Sequence, residues 1–181
     1  MDRLRKAAIL VRLIEKLREQ GSWCGETHVQ KATFFLQELM HVPLGFDFLL
    51  YKHGPFSFDL RDELTGLRAD DLLALEPHRP YGPRMAPTDR SNYIQGVFSK
   101  TLEKYDPVIL FVAQNLGPKA VIELERLATA LYVTIRAGVG VSADMRAQLL
   151  TELKPHIPRE VAVPTVQATD RMVREAQRFP D

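Results

Sequence analysis

One cysteine, one tryptophan and no apolar run of membrane length mark this 181-residue chain. Cys24 alone cannot close an internal disulfide, which fits a reducing compartment. No stretch approaches the roughly 20 apolar residues that a membrane-spanning helix requires. Charge of one sign is also missing: 24 basic against 23 acidic residues leave +1, too little for a global field that draws in nucleic acid or membrane. The opening Met1-Asp2-Arg3-Leu4-Arg5-Lys6 leads into an amphipathic helix rather than a secretory core and cleavage site, so the expectation is a soluble, cytoplasmic protein. His28, His41, His53, His78 and His156 form no His-x-x-x-His pair, and there is no cysteine cluster, so no metal is expected. Gly138-x-Gly140 lacks the further glycine and the Lys-Ser/Thr that a phosphate loop needs. No cofactor and no enzymatic activity are expected, and Cys24 beside Trp23 reads as a small apolar filler.

What is present is ordinary globular material, 45% hydrophobic and 26% charged, enough for one good core. Leu4, Ala7, Ala8, Val11 and Ile14 follow helical spacing up to Gly21. A second helix begins near Glu26 or Thr27, with Ala32, Phe35, Leu36 and Leu39 inward. Phe46 to Tyr51 has strand character, and Gly54-Pro55 then turns the chain into a short helix from Phe58 to Leu67. Pro55 suits a first helical turn and Ser57 can cap it. Leu72 to Leu75 reads as a strand, followed by a proline-rich loop through Pro87. Further helices are expected over Asp89 to Lys104, Pro107 to Asn115, Lys119 to Arg136 and Ala143 to Leu153. Pro155, Pro158 and Pro164 mark an extended link before a last helix, Thr165 to Phe179. The fold class is mainly α with a small β-sheet, one domain over residues 1–181. Residues 1–88 form a winged-helix-like part, packed with a helical part over 89–181.

Three motifs carry a resemblance. The helix segment Val29-Gln30-Lys31-Ala32-Thr33-Phe34-Phe35-Leu36-Gln37, the turn Tyr51-Lys52-His53-Gly54-Pro55-Phe56-Ser57 and the later Lys154-Pro155-His156 resemble the YwgA-like proteins and the related Panacea (SocA-type antitoxin) domains. The resemblance implies a non-enzymatic module from toxin–antitoxin or phage-defence settings that neutralises or regulates a partner protein, a toxin or a defence effector. The expected partner-binding residues are Lys31, Phe34, Tyr51, His53, Phe56, Asp62 and Glu63. Phe34 lies off the main inner face of its helix, so it either packs under the C-terminal half or anchors an exposed patch.

Local charge supports a rival. Asp59 to Glu76 holds six acidic against two basic residues, while Pro77 to Lys104 holds five basic against two acidic. In a winged-helix DNA-binding regulator Arg79, Arg84 and Arg90 would sit on phosphates, with Tyr81 and Tyr93 as stacking groups. The acidic preceding helix argues against that docking, and its carboxylates suggest instead a mimic of nucleic acid. Lys154 and His156 are expected to cap the helix before them.

Overall fold

The computed structural model describes residues 1–77, 82–138 and 140–179. Within them the chain is mainly α-helical, with eight helices and two short antiparallel hairpins. Helix α1 (Arg3–Glu19) starts at Asp2, whose carboxylate accepts from the Arg5 amide at 3.0 Å, and its residues from Ala7 to Ile14 are buried or nearly so. Helix α2 (Glu26–Glu38) is enclosed all round from His28 to Leu36. Over those residues α2 has no solvent face and must be wrapped by other elements, α1 among them.

Strands β1 (Leu49–Tyr51) and β2 (Gly54–Phe56) form the first hairpin, followed by α3 (Phe58–Ala69). Strands β3 (Leu73–Glu76) and β4 (Arg84–Pro87) form the second. The expected helix–strand order of the N-terminal part is therefore present, with its strands in two separate two-stranded sheets. The C-terminal half holds α4 (Asp89–Val97), α5 (Ser99–Leu116), α6 (Val121–Ala137), α7 (Ala143–Leu153) and α8 (Arg159–Ala176). One core runs through both halves, from Ala7 to Ala176, and a smaller one joins Ala130, Val133, Ala147, Leu150, Ile157, Ala162 and Val166. No helix of the described residues is long and apolar enough to cross a membrane.

Several boundaries differ from the sequence reading. Pro55 is not in the first turn of α3 but in β2, opposite Leu50, in a two-stranded edge where its missing N–H costs little. The expected loop before Pro87 contains β4, held further by the Met85 amide on the Cys24 carbonyl at 2.8 Å. The break after Asp89 falls at Phe98, and Pro107 lies inside α5. There, the buried Val108, Ile109, Phe111 and Val112 offset the loss of one helical bond. Likewise α8 begins at Arg159, with Pro164 inside it, because Ala162 already packs into the second core.

Candidate functional site

Two glutamines on α2 position the first hairpin. The Gln30 side-chain amide donates to the Ser57 carbonyl and accepts from the Ser57 N–H, both at 2.9 Å. Gln37, two helical turns on, makes the same pair with Phe46 at 2.8 Å on each side. Each glutamine thus acts as a strand partner would, satisfying backbone groups that have no ladder. Ser57 also caps α3, its hydroxyl accepting from the Leu60 amide at 3.2 Å. The hairpin tip is Lys52-His53, and neither has positive φ; the left-handed conformation falls on Gly54, at φ 86°. A Cβ on Gly54 would lie 3.1 Å from Thr129 Oγ1 and 3.4 Å from the Glu125 carbonyl of α6, so the hairpin rests directly on α6.

Beneath that tip is a buried charged cluster built from all three motifs. Glu125, buried on α6, faces Lys154 Nζ at 3.4 Å, His53 Nδ1 at 3.5 Å and His156 Nε2 at 3.4 Å. Its Oε1 makes no hydrogen bond of proper geometry. Lys154 does not cap α7 with its amine, as the sequence suggested. It reaches the other half of the molecule and donates to the carbonyls of Tyr51 at 2.8 Å and Lys52 at 2.5 Å. Lys31 is 1% exposed, and its amine has no hydrogen bond or ion pair among the described residues. Burial pulls its pKa down to about 8, against an opposing pull from Glu125. Two imidazoles and one carboxylate stand together here, but the Lys154 ammonium already faces that carboxylate at 3.4 Å. No metal-holding group of His, Cys, Asp or Glu exists among the described residues.

Lys31 and Phe34 are therefore not surface anchors. Phe34 is 2% exposed and packs on Phe48 at 5.1 Å, with Phe35 and Tyr132 beyond. The polar neighbours that suggested a wet face, Gln30 and Lys31, are themselves buried by the clamp and the charged cluster. The surface above them is aromatic. Tyr51 is 55% and Phe58 40% exposed, and both stack with the half-buried Phe56, ring centroids 5.1–5.8 Å apart. Arg61 lies over Phe58 at 5.1 Å and pairs with Asp62, while the exposed His53 projects from the hairpin tip.

The acidic strip is mostly neutralised. Arg3 holds Glu63 at 3.0 Å and Asp70 at 2.7 Å, and Arg84 and Arg18 both hold Glu76. The Arg84 hydrogen bond keeps the Glu76 carboxyl below its ordinary range. Of the strip's six carboxylates, only Asp59 and Asp71 lack an ion pair among the described residues, which leaves little resemblance to a phosphate row. One of the same pairs engages an arginine of the rival site. Arg84 is held by Glu76 at 2.6 Å and lies 5.9 Å from the Trp23 ring, so it is not free for phosphate. Arg90 is exposed and lines an apolar groove with Leu4, Tyr93 and Val97, whereas Arg79 and Tyr81 lie outside the described residues.

The sequence reading missed Phe58 and Glu125. Glu125 carried a usable signal, since helical spacing puts it on one face with Val121, Ile122, Ala128 and Tyr132, a charge in an otherwise largely apolar stripe. No protein-family model matches the chain, and no curated protein matches its sequence.

Proposed function

We propose that this chain is a non-enzymatic, cytoplasmic protein-binding module of the antitoxin type, which grips a partner protein through the aromatic surface of Tyr51, Phe56 and Phe58. The observation that carries this reading is the ring cluster itself. Three aromatic side chains stand together at the surface on a hairpin fixed at both roots by Gln30 and Gln37. Rigid aromatic anchors lose little entropy on binding and dominate protein interfaces. His53 and Asp62 stand near this surface and supply polar contacts around it. Lys31 and Phe34 act from beneath, by supporting the hairpin. The resemblance to YwgA-like and Panacea domains supports a toxin or defence effector as the partner. DNA binding is the weaker reading, because Arg84 is committed to Glu76.

The test is capture from the native host followed by a high-salt wash, with Tyr51→Ala/Phe58→Ala beside the unaltered chain. The expected result is a stoichiometric protein that is toxic when expressed alone, is neutralised by co-expression of this chain, and binds the double variant at least about 30-fold more weakly. Nucleic acid that is lost in the wash, with no protein retained, would overturn the proposal in favour of a regulator.

A further inference from the structure

We infer that the outer edge of β1 is an interface between two copies of this chain, which pair there antiparallel and join their two-stranded sheets into one. The hairpin register opposes Leu49 to Phe56, Leu50 to Pro55 and Tyr51 to Gly54. Proline has no N–H, so the ladder bonds run between Leu49 and Phe56 and between Tyr51 and Gly54. Leu50 therefore turns its N–H and C=O away from β2. Neither group has a hydrogen bond among the described residues, and neither do those of Phe48 one pleat earlier. Among the described elements, β2 is the only one in extensive contact with β1. An open edge of this kind is a template for another strand.

The edge is complementary to itself. With Leu50 of one copy against Leu50 of the other, the two exchange a pair of N–H···O=C bonds. Leu49 then faces Tyr51 of the second copy, and Asp47 comes towards that copy's Lys52-His53 tip. Exposure alternates from Asp47 to Tyr51, so Asp47, Leu49 and Tyr51 stand on one face. Leu49 is 43% and Tyr51 55% exposed, and neither Asp47 nor Lys52 has an ion pair among the described residues. The two-fold contact thus sets apolar against aromatic at its middle and acid against base at both ends. A foreign strand could use the same backbone groups, but this matching is a property of the strand with itself. The pairing also stops at two copies. On the far edge of β2, Pro55 offers no donor, and the Ser57 N–H and C=O are held by Gln30. In the second hairpin the β4 edge is taken by the Met85 amide on the Cys24 carbonyl.

Analytical ultracentrifugation of the full chain tests the proposal, over roughly 5 to 500 µM. A contact of few residues is weak, so the chain should pass from monomer to dimer within that range. Leu50→Pro takes away the outward N–H and no bond of the hairpin itself, at an edge position that tolerates proline. It should weaken dimerisation at least about 10-fold, while Leu50→Ala, which keeps the N–H, should weaken it less. Asp47→Lys, at an exposed site outside the hairpin ladder, sets like charges together and should also weaken it, most at low salt. Urea midpoints show which variants keep the fold. A monomer throughout the range would overturn the proposal and leave the edge to a strand of another protein. So would a dimer that the folded variants leave unchanged, since it would use another face. Each reading comes from the purified chain alone, so it stands or falls separately from capture of a partner.

Discussion

Lys154 donates to the carbonyl of Tyr51 across 103 residues of sequence, at 2.8 Å, and so ties the last third of the chain to the first hairpin. The amine is almost wholly buried and also faces Glu125. Lys154→Met should therefore cost about 3 kcal/mol, because it strands a buried carboxylate and two backbone acceptors. Lys154→Met/Glu125→Leu should recover a good part of the loss. Urea unfolding of the three chains measures both effects, and a single-variant cost below about 1 kcal/mol would contradict this account of the bridge.

The glutamine clamps differ in burial, and their variants should differ too. Gln30→Leu leaves the fully buried Ser57 N–H unpaired and its carbonyl with the Arg61 amide alone, at a cost of about 2 kcal/mol. Gln37 is itself half-buried, so in Gln37→Leu water can reach the Phe46 N–H and carbonyl in its place, and the change should cost about half as much. Equal losses in urea unfolding would mean the clamps act only through packing.

Lys31 gives stability a dependence on alkaline pH. Its pKa is about 8 in the folded state against the ordinary 10.5, so the unfolded chain holds the proton longer. Between those values the unfolded state binds more protons, and stability must rise with pH there. Below about pH 8 both states are protonated and the folded one bears the desolvation cost in full. Lys31→Met should be more stable than the unaltered chain at neutral pH and should lack the alkaline rise. Parallel pH profiles for the two chains would rule this out.

Gly54→Ala combines an unfavourable φ of 86° with a Cβ placed 3.1 Å from Thr129 Oγ1. The expected loss is about 1–3 kcal/mol in thermal or urea unfolding. A neutral result would show that the hairpin can lift from α6 without penalty.

How far the sequence reports this structure depends on whether the deciding force is local. The apolar spacing of α1, the Ser57 cap and the Gly138 stop are local, and each element is found where its residues place it. Proline is where local reasoning fails. Pro107 and Pro164 look like breaks but lie inside α5 and α8, since burial of the flanking side chains outweighs one missing hydrogen bond. Gly54-Pro55 punctuates the chain as expected, yet the return strand β2 depends on Leu50 across the hairpin and on α6 beneath. The charged cluster needed tertiary information of the same kind. Lys31, His53, Lys154 and His156 all fell within motifs that could be singled out, but nothing in their spacing says that Glu125 gathers them.

The two clamps on α2 have one more consequence. Both roots of the segment from Phe46 to Ser57 are held through backbone groups, by side chains that belong to another element. The span is suspended like a bridge deck from two pylons, and the pylons make no demand on what the deck carries. Leu49, Tyr51 and Lys52 expose their side chains while lending only main-chain atoms to the supports. A scaffold of this kind can exchange its outward face for another and keep its frame.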